Sequence, residues 1–313
     1  MEREMSPPSR LVIIVTGSDS GFGLMTAEAL AQAGHTVYAG LLQARDNAPT
    51  RYEAFETFAR RHQRDIRGIH LNVVQDDVIQ QSVAQILQEQ HRIDAIIHNA
   101  GHMCLGPAEA FSPSQFFAMY DTNCVGCHRL NRAILPHMRA RRSGLLIWVS
   151  SGSAHGPSSP YLAAYFAAKA AQDSLAQTTA LEVSQWGVES SIVTPGIFTS
   201  GTNHFGSAMR ADDPDVERQY NAEEAPTKGW FERCLKGSAE MGDPRLDIKP
   251  QAVADAIVEI VGTEHGRRPW RVHVEPEGPM AERTNRVRDR VRAEYLERMG
   301  CAELMKVKLF GVE

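Results

Sequence analysis

The sequence predicts an α/β fold, a doubly wound parallel sheet of seven strands in a single domain. From residue 11 onward, short apolar runs rich in β-branched residues alternate with helical segments. The apolar runs are continuous, which is typical of strands buried on both faces of a parallel sheet. One alternating series fills residues 11–280, so the 313-residue chain indicates one large domain rather than two.

Each strand and helix follows from a local pattern. Apolar residues recur at helical spacing over 76–90, at Val78, Ile79, Val83, Ile86 and Leu87. The other helices are expected after the first strand (ending at Gly34) and over about 50–63, 113–142, 162–185 and 252–261. The strands are expected at 11–16, 35–42, 66–71, 93–101 (ending in a glycine turn), 145–150, 189–196 and 270–275.

Three segments lie outside this alternation. Residues 1–10 lack an apolar signal region and are expected to be a disordered lead-in. Residues 201–249 combine Gly, Pro and Asp with isolated aromatic side chains, and this poor periodicity indicates a lid over a site. Residues 281–313 predict a C-terminal helical extension whose alternating charges indicate a solvated face rather than a docking patch.

Composition and charge exclude several classes of protein. A hydrophobic content of 42% with 23% charged residues rules out wholesale disorder. The formal net charge of −5 argues against a nucleic-acid partner. The apolar run at 11–15 is far shorter than the ~20 residues of a membrane helix, so no membrane span is expected. Five cysteines, an odd and sparse set, indicate reduced thiols and a cytoplasmic protein.

A glycine turn follows the first strand and opens the first helix. It reads Thr-Gly-Ser-Asp-Ser-Gly-Phe-Gly over residues 16–23. Glycines there let the backbone approach a pyrophosphate, and the helix N-terminus adds N–H donors and a positive dipole. Many such turns contain glycine for geometry only, and the spacing here differs from G-x-G-x-x-G. The turn by itself therefore indicates only a candidate phosphate site.

Tyr165 and Lys169 stand four residues apart, which places both on one face of a predicted helix. An ammonium near a phenol is expected to lower the tyrosine pKa from ~10, which makes the phenol usable as an acid or base. A surface Tyr–Lys pair is the alternative. Tyr161 lies one turn earlier but has no lysine at this spacing. Ser150 and Ser151 end the fifth strand, where a hydroxyl either contacts a substrate oxygen or caps a turn.

In this order the motifs resemble those of the short-chain dehydrogenase/reductase family, over about residues 11–275. The family's T-G-x-x-x-G-x-G, N-N-A-G, Y-x-x-x-K and P-G motifs are matched at 16–23, 98–101, 165–169 and 195–196, with a helix asparagine at Asn123. The resemblance implies a Rossmann fold and hydride transfer between a nicotinamide cofactor and a secondary alcohol or ketone. It makes Tyr165 the acid/base and gives Lys169 the ribose contact. It also implies that Ser151 orients the substrate oxygen and that Asn123 holds a proton-relay water.

The same resemblance implies the contacts of the cofactor. Besides Lys169, they come from the glycine turn, the strand ends and the loops that follow them: Gly17, Asp19, Ser20, Phe22, Gly23, Leu41, Asn72, Val73, Asn99, Ala100, Gly101, Pro195, Gly196, Phe198 and Ser200, with Thr199 as the alternative to Ser200. Two residues depart from the family pattern, since His98 replaces an asparagine and Asn72 replaces an aspartate. Ser151 also lies 14 rather than 13 residues before Tyr165, so Ser153 is the alternative for its role.

The aromatic residues of 201–249 favour a bulky, lipophilic substrate. The candidate substrate contacts are Ser153, His155, Tyr161, Phe205 and Trp230. NAD(H) is favoured over NADP(H), because Asp19 is expected near the adenosine ribose and would repel a 2′-phosphate. Leu41 is not an acid and Leu42 is not an arginine, so neither usual mark of cofactor choice is present. Arg45 is the residue that would instead favour NADP(H).

Other interpretations of the sequence are weaker. Cys124, Cys127 and His128 form a C-x-x-C-H string, which we interpret as small buried thiols rather than a haem or redox site. The histidines show no metal-ligand spacing, so no metal site is expected. A non-catalytic dinucleotide-binding sensor or scaffold is the alternative from another class, and a sugar-nucleotide epimerase would open with a different glycine spacing. The resemblance also implies a homodimer or homotetramer paired through the helices near 113–142 and 162–185.

Overall fold

The computed structural model describes residues 10–310, so all but the last residue of the predicted lead-in lies outside the described part of the chain. The main sheet has seven parallel strands in the order β3-β2-β1-β4-β6-β7-β9. Numbered along the chain, the strands are β1 (Val12–Val15), β2 (Thr36–Leu41), β3 (Ile66–His70), β4 (Ala95–His98), β5 (Cys104–Leu105), β6 (Gly144–Val149), β7 (Val188–Pro195), β8 (Met209–Arg210) and β9 (Arg271–Val274). The predicted fold class is confirmed.

The helices cover both faces of this sheet. They are α1 (Gly21–Gln32), α2 (Pro49–His62), α3 (Asp76–Gln90), α4 (Pro113–Tyr120), α5 (Gly126–Arg141), α6 (Ala163–Ser184), α7 (Pro214–Tyr220), α8 (Trp230–Glu240), α9 (Gln251–Gly262) and α10 (Met280–Arg298). The helix expected over 113–142 is interrupted, because a turn of π-helix at Asp121–Val125 separates α4 from α5. Within the described residues, no helix has both the length and the apolar character needed to cross a membrane.

The core lies on the two faces of the sheet. Successive side chains of a strand point in opposite directions. Ile13 and Val15 therefore pack with residues of α1 and α9, whereas Val12 and Ile14 pack with residues of α3, α5 and α6. All four are at most 4% exposed, and burying a side chain of this size contributes about 1.5–3 kcal/mol. Continuous apolar runs are thus explained by a sheet with no solvated face.

The strand order also determines where a ligand can bind. From β1 the chain builds outward to β3 and then returns to place β4 on the other side of β1. Ligands of open α/β sheets bind at such a reversal, beyond the carboxyl ends of the strands. The glycine turn after β1 and the loop after β4 both lie at this point.

Residues 201–249 are more regular than the sequence predicts. They contain β8, α7 and α8, and β8 pairs in parallel with β5 through Cys104–Met209 and Leu105–Arg210. Asp213 caps α7, accepting from the N–H groups of Asp215 and Val216. The expectation of an irregular segment is therefore wrong. The two helices are short, and two-residue strands carry no visible periodicity, which is why the pattern was missed.

Candidate active site

A cavity of about 560 Å³ opens at the carboxyl ends of the central strands. Its volume lies in the range typical of small-molecule sites. The glycine turn, the end of β6, the start of α6, the loop after β7 and parts of 201–249 form its walls. The sequence-predicted residues in these walls are Gly17, Ser20, Phe22, Asn99, Gly101, Ser151, Ser153, Tyr165, Lys169, Pro195, Gly196, Phe198 and Phe205.

The glycine turn is held in shape by its neighbours. Gly17 has φ +67°, and a Cβ there would stand 2.8 Å from Ala100 Cα. A Cβ on Gly23 would stand 2.1 Å from the Gly17 carbonyl oxygen. Asn99 Nδ2 donates to the carbonyls of Thr16 and Gly17, at 2.9 and 3.1 Å. Asn99 and Ala100 therefore shape the turn, and the Asn99 side chain is hydrogen-bonded to the backbone of the turn.

The edge of the turn next to β2 carries charge. Asp19 Oδ2 accepts from the backbone N–H of Leu42 at 3.1 Å, as expected for a carboxylate at the end of β2. Arg45 forms an ion pair with Glu56 and its guanidinium lies over the Tyr52 ring. The cation at this edge is instead Arg51, whose Nη1 donates to the Asp19 carbonyl at 2.8 Å. Sequence reasoning missed Arg51 because it lies in the first turn of α2, away from any motif.

Three residues expected at the adenine side play other roles in this structure. Leu41 is 1% exposed and packs in the core, so its side chain is not available to a ligand. Asn72 Oδ1 accepts from the N–H of Val74 at 3.2 Å and stabilises a turn. Val73 packs against Gly126, where a Cβ would approach it to 2.8 Å. The cofactor contact of Leu41 stays a prediction, and it would involve the backbone because the side chain faces the core.

Tyr165 is buried at the centre of the cavity wall, with 7% of its surface exposed. Its phenol lies beside the hydroxyls of Ser151 and Ser153, and Ser153 Oγ donates to Ser151 Oγ at 2.8 Å. Burial raises the pKa of Tyr165 above 10, and the two serine contacts oppose this rise. The expected net lowering of this pKa by Lys169 is therefore wrong for the structure as it stands.

Lys169 lies one helical turn from Tyr165 and is 4% exposed. Its Nζ donates to the Val149 carbonyl at 3.0 Å and to Gln172 Oε1 at 2.9 Å. Burial lowers the pKa of Lys169 to about 8, while the Coulomb attraction of the Asp173 carboxylate opposes the shift. An ammonium has three N–H donors, so one remains for a ligand in the cavity.

Asn123 lies in the π-helical turn and is fully buried. Its Nδ2 donates to the carbonyls of His102 and Met119, both at 3.0 Å. Its Oδ1 has no hydrogen-bond partner among the described residues. A Cβ on Gly101 would stand 2.4 Å from this oxygen and 3.8 Å from Lys169 Nζ. The π turn thus aims one unused acceptor at the space between Gly101 and Lys169, and such turns are frequent at functional sites.

The loop after β7 closes the opposite side of the cavity. Phe198 is 9% exposed and meets Phe22 edge to face, with centroids 5.4 Å apart. Glu277 accepts from the N–H of Ile197 at 3.0 Å and lies so close to Gly196 that any Cβ there would clash with it. Burial raises the pKa of Glu277. Ser200 and Thr199 follow as an exposed and a half-buried residue, neither of them in the cavity wall.

The expected substrate contacts are only partly brought together. Phe205 and Ser153 line the cavity, and His204, which sequence reasoning missed, meets the Tyr165 ring edge to face at 5.5 Å. Burial lowers the pKa of His204 to about 4. Three others lie outside the cavity wall, so their contact with a substrate stays a prediction. Tyr161 packs edge to face on Phe231, Trp230 is 47% exposed beneath Arg233, and His155 Nε2 lies 3.2 Å from Asp173 Oδ1 behind the cavity.

The C-x-x-C-H string has no exposed thiol. Cys124 and Cys127 are free and 4% exposed, as expected for small buried thiols. Burial raises the pKa of Cys127 to about 11, which leaves it protonated and inert. Among residues 10–310, no group of His, Cys, Asp or Glu is arranged to hold a metal ion.

Comparison with known proteins agrees with this geometry. Residues 11–211 match the short chain dehydrogenase family. Human retinol dehydrogenase 8 is 32% identical over 80% of this chain and 78% of its own length. The 3-ketodihydrosphingosine reductase of Bacteroides thetaiotaomicron is 32% identical, and the match spans 61% of this chain and 65% of that protein. A short-chain dehydrogenase from Streptomyces avermitilis is 29% identical in its crystal structure, with a TM-score of 0.71 over 95% of this chain and 98% of its own. The chain belongs to the short-chain dehydrogenase/reductase family of nicotinamide-dependent oxidoreductases.

Proposed function

We propose that this protein transfers hydride between a nicotinamide cofactor and a secondary alcohol or ketone, with Tyr165 as the acid/base. The observation that carries the proposal is the contact of the Tyr165 phenol with Ser151 and Ser153 in the wall of a cavity that also contains the glycine turn. A sensor or scaffold that only binds a dinucleotide does not need a buried phenol beside two hydroxyls and a buried ammonium.

The residues present fit a dinucleotide. Gly17 and Gly101 leave backbone surfaces that any Cβ would obstruct. Ser20 at the N-terminus of α1 makes no side-chain cap, so its hydroxyl and the first N–H groups of the helix are available to an anion. Ser20 and Phe22 would hold the phosphates, and Lys169 the ribose. The cofactor, when bound, accepts or supplies the hydride.

The protein's own groups handle the proton. In oxidation the Tyr165 oxygen takes the hydroxyl proton of the substrate, and in reduction it returns one. Ser151 donates a hydrogen bond to the substrate oxygen, where negative charge develops, and Ser153 donates to Ser151 and orients it. The unused Asn123 Oδ1 accepts from a water, and the third N–H of Lys169 faces the same space, so the pair provides a route for the proton away from Tyr165.

The cavity wall favours a bulky, lipophilic substrate. Met103, Phe166, Phe205 and Met241 all line it, and apolar and aromatic side chains dominate pockets that bury such ligands. Phe205 and Met241 belong to residues 201–249, which we propose form a lid over the substrate. Two relatives are named for lipophilic compounds, retinol and 3-ketodihydrosphingosine, which supports a lipophilic substrate for this protein as well. In the same scheme residues 11–280 form the dehydrogenase domain and 281–313 its helical extension.

NAD(H) is the favoured cofactor. The Asp19 carboxylate stands at the end of β2, where it accepts from Leu42, and it would repel a 2′-phosphate. Arg45 is held by Glu56, so it contributes little to phosphate binding. Arg51 is the residue that favours NADP(H), because its guanidinium lies at the same edge.

A homodimer or homotetramer would cover an apolar part of α4. Phe117 is 73% exposed and Tyr120, one turn later, is 44% exposed. Both lie on the helix pair through which family resemblance predicts self-association. Sedimentation compares the molecular mass of the wild type in solution with that of Phe117→Asp, which should be smaller. The same mass for both proteins would contradict this point.

The reaction is tested with a panel of secondary alcohols and ketones of increasing size, followed by absorbance of the reduced nicotinamide. We expect Tyr165→Phe to lose about 10²–10⁴-fold in kcat while binding the cofactor normally, because only the phenol moves the proton. Tyr295→Phe, which removes the same hydroxyl from an exposed residue of α10 outside the cavity, is the matched control. Normal turnover by Tyr165→Phe would refute the mechanism.

A further inference from the structure

Behind the cavity, one buried carboxylate accepts hydrogen bonds from several side chains. Asp173 lies on α6, one helical turn after Lys169, and is 0% exposed. Arg271 on β9 grips it with two parallel bonds, Nη1 to Oδ2 at 2.8 Å and Nη2 to Oδ1 at 2.9 Å. The Arg271 side chain is itself only 4% exposed. The guanidinium and further donors hold the pKa of Asp173 well below its usual range, so the carboxylate stays charged.

Two of the remaining partners come from the turn that carries the active-site serines. Ser150 Oγ donates to Asp173 Oδ2 at 2.7 Å, and His155 Nε2 lies 3.2 Å from Oδ1. Between them lie Ser151 and Ser153, the two hydroxyls that contact Tyr165. We call residues 150–155 the serine turn. The Ser150 end is hydrogen-bonded to this carboxylate, whereas the His155 imidazole lies against it without a hydrogen bond from Nε2. The carboxylate is on the helix that carries Tyr165.

We propose that Asp173 is a positioning residue, which clamps the serine turn onto the tyrosine-bearing helix and so sets the contact of Ser151 and Ser153 with Tyr165. Arg271 keeps the carboxylate charged and held in the interior, so β9 takes part in the arrangement of the active site. The proposal rests on the proposed function of Tyr165 and adds the device that aligns it. Errors of ~1 Å in such alignment are costly to the rate.

The direct variant, Asp173→Asn, is a poor test because it leaves Arg271 buried with an unpaired charge. Ser150→Ala removes the hydrogen bond of one end of the turn, His155→Phe removes the imidazole contact of the other, and both keep the ion pair. Gln177→Ala is the matched control, since Gln177 Nε2 donates to the same Asp173 Oδ1 at 2.7 Å but lies on α6 itself. It removes an equally short contact with the carboxylate without releasing the turn.

We expect Ser150→Ala and His155→Phe each to lower kcat about 10-fold and their double variant more, with cofactor Kd unchanged within twofold. Gln177→Ala should keep kcat within twofold of the wild type. A loss of kcat in Gln177→Ala equal to that in Ser150→Ala would overturn the proposal, because the effect would then follow the carboxylate and not the turn. Unchanged kcat in the double variant would overturn it as well.

A second readout does not depend on turnover. The Tyr165 pKa follows from the phenolate absorbance of each variant minus that of the same variant carrying Tyr165→Phe. The groups facing Tyr165 are Ser151 and Ser153 from the turn, Cys104 from β5, His204 from 201–249 and Lys169 on its own helix. We expect only the serines to move in these variants, and a weaker contact of their hydroxyls with the phenol should raise the pKa of Tyr165. A raised pKa in a protein inactive on every alcohol would sustain the clamp and refute the proposed function, whereas an unshifted pKa would refute the clamp.

Discussion

The cofactor wall of the cavity and the proposed lid are held in place in different ways. In the cofactor wall, Thr16 Oγ1 donates to Ile97 and accepts from the N–H groups of Asn99 and Ala100, which ties the glycine turn to the end of β4. In the lid, neither α7 nor α8 has a buried residue. Its links to the body include the pairing of β8 with β5, the Tyr161–Phe231 contact and a bond from Tyr220 to Glu109.

This difference separates two tasks. A cofactor of constant shape suits a wall fixed by the backbone, whereas a lid held by a few surface contacts adapts to the substrate that it covers. Loops that close over ligands are drawn from the least stable parts of a fold. We therefore expect changes in the cofactor wall to be severe and changes in the lid to be selective.

The largest effect is expected when the same substitution is made in both regions. A Cβ on Gly23 would stand 2.1 Å from the Gly17 carbonyl oxygen, whereas one on Gly237, in α8, would meet nothing within 4 Å. Gly23→Ala should weaken cofactor binding at least ~100-fold, measured by quenching of protein fluorescence, because backbone must move to admit the methyl group. Gly237→Ala should bind normally and gain about 0.5–1 kcal/mol in the free energy of unfolding. An equal cofactor Kd in the two variants would contradict the expectation that the cofactor wall is less tolerant of substitution than the lid.

Lys169 provides the next test, on stability. Its pKa is lowered to about 8 in the folded protein, below the usual value, so the unfolded chain binds its proton more tightly. We expect Lys169→Met to lose turnover yet raise the free energy of unfolding at pH 7 by about 1–2 kcal/mol, less than the full shift implies because two hydrogen bonds are lost. Wild-type stability should rise relative to the variant as the pH increases from about 8 toward the unfolded-state pKa. Denaturation curves across that window check the sign, and a constant gap would contradict it.

A lid residue should change the choice of substrate more than the rate. Phe205 lines the cavity, whereas Phe231 of the same lid packs on Tyr161 outside it. Phe205→Ala should reduce kcat/KM for a long-chain secondary alcohol about 10-fold, since burying an apolar side chain of this size contributes about 1.5–3 kcal/mol of free energy. The value for 2-propanol should barely change. Phe231→Ala is the control, and a similar loss there would mean that the lid acts as a whole rather than through its lining.

The smallest expected effect is on cofactor choice. Asp19→Asn should shift the ratio of kcat/KM for NADP(H) over NAD(H) upward about fivefold, which is the size of one charge interaction near water, ~1 kcal/mol. Arg51→Ala should shift the same ratio downward. If the two substitutions shifted this ratio in the same direction, Asp19 and Arg51 would act through the shape of the turn and not through charge.

Much of the cofactor wall could be predicted because its signals are local. Continuous apolar runs identify the strands, and the spacing of Tyr165 and Lys169 places them on one helix. The net rise in the pKa of Tyr165 could not be predicted, since it depends on burial by distant segments. Nor could the clamp, because Asp173 and Arg271 are far apart in the chain and only the adjacency of α6 and β9 brings them together. Arg51 and His204 belong to no motif, so no sequence signal marked them.

The short ladder between β5 and β8 joins segments that are separated in the chain by α4, α5, α6, β6 and β7. Closing so long a loop loses conformational entropy that two residue pairs do not offset, so we expect this contact to form late, after the elements between have docked. A newly made chain would then have its cofactor wall complete before the lid has closed over Met103 and Phe205. Compounds that fill the cavity would stabilise the closed form by mass action and raise the yield of folded protein.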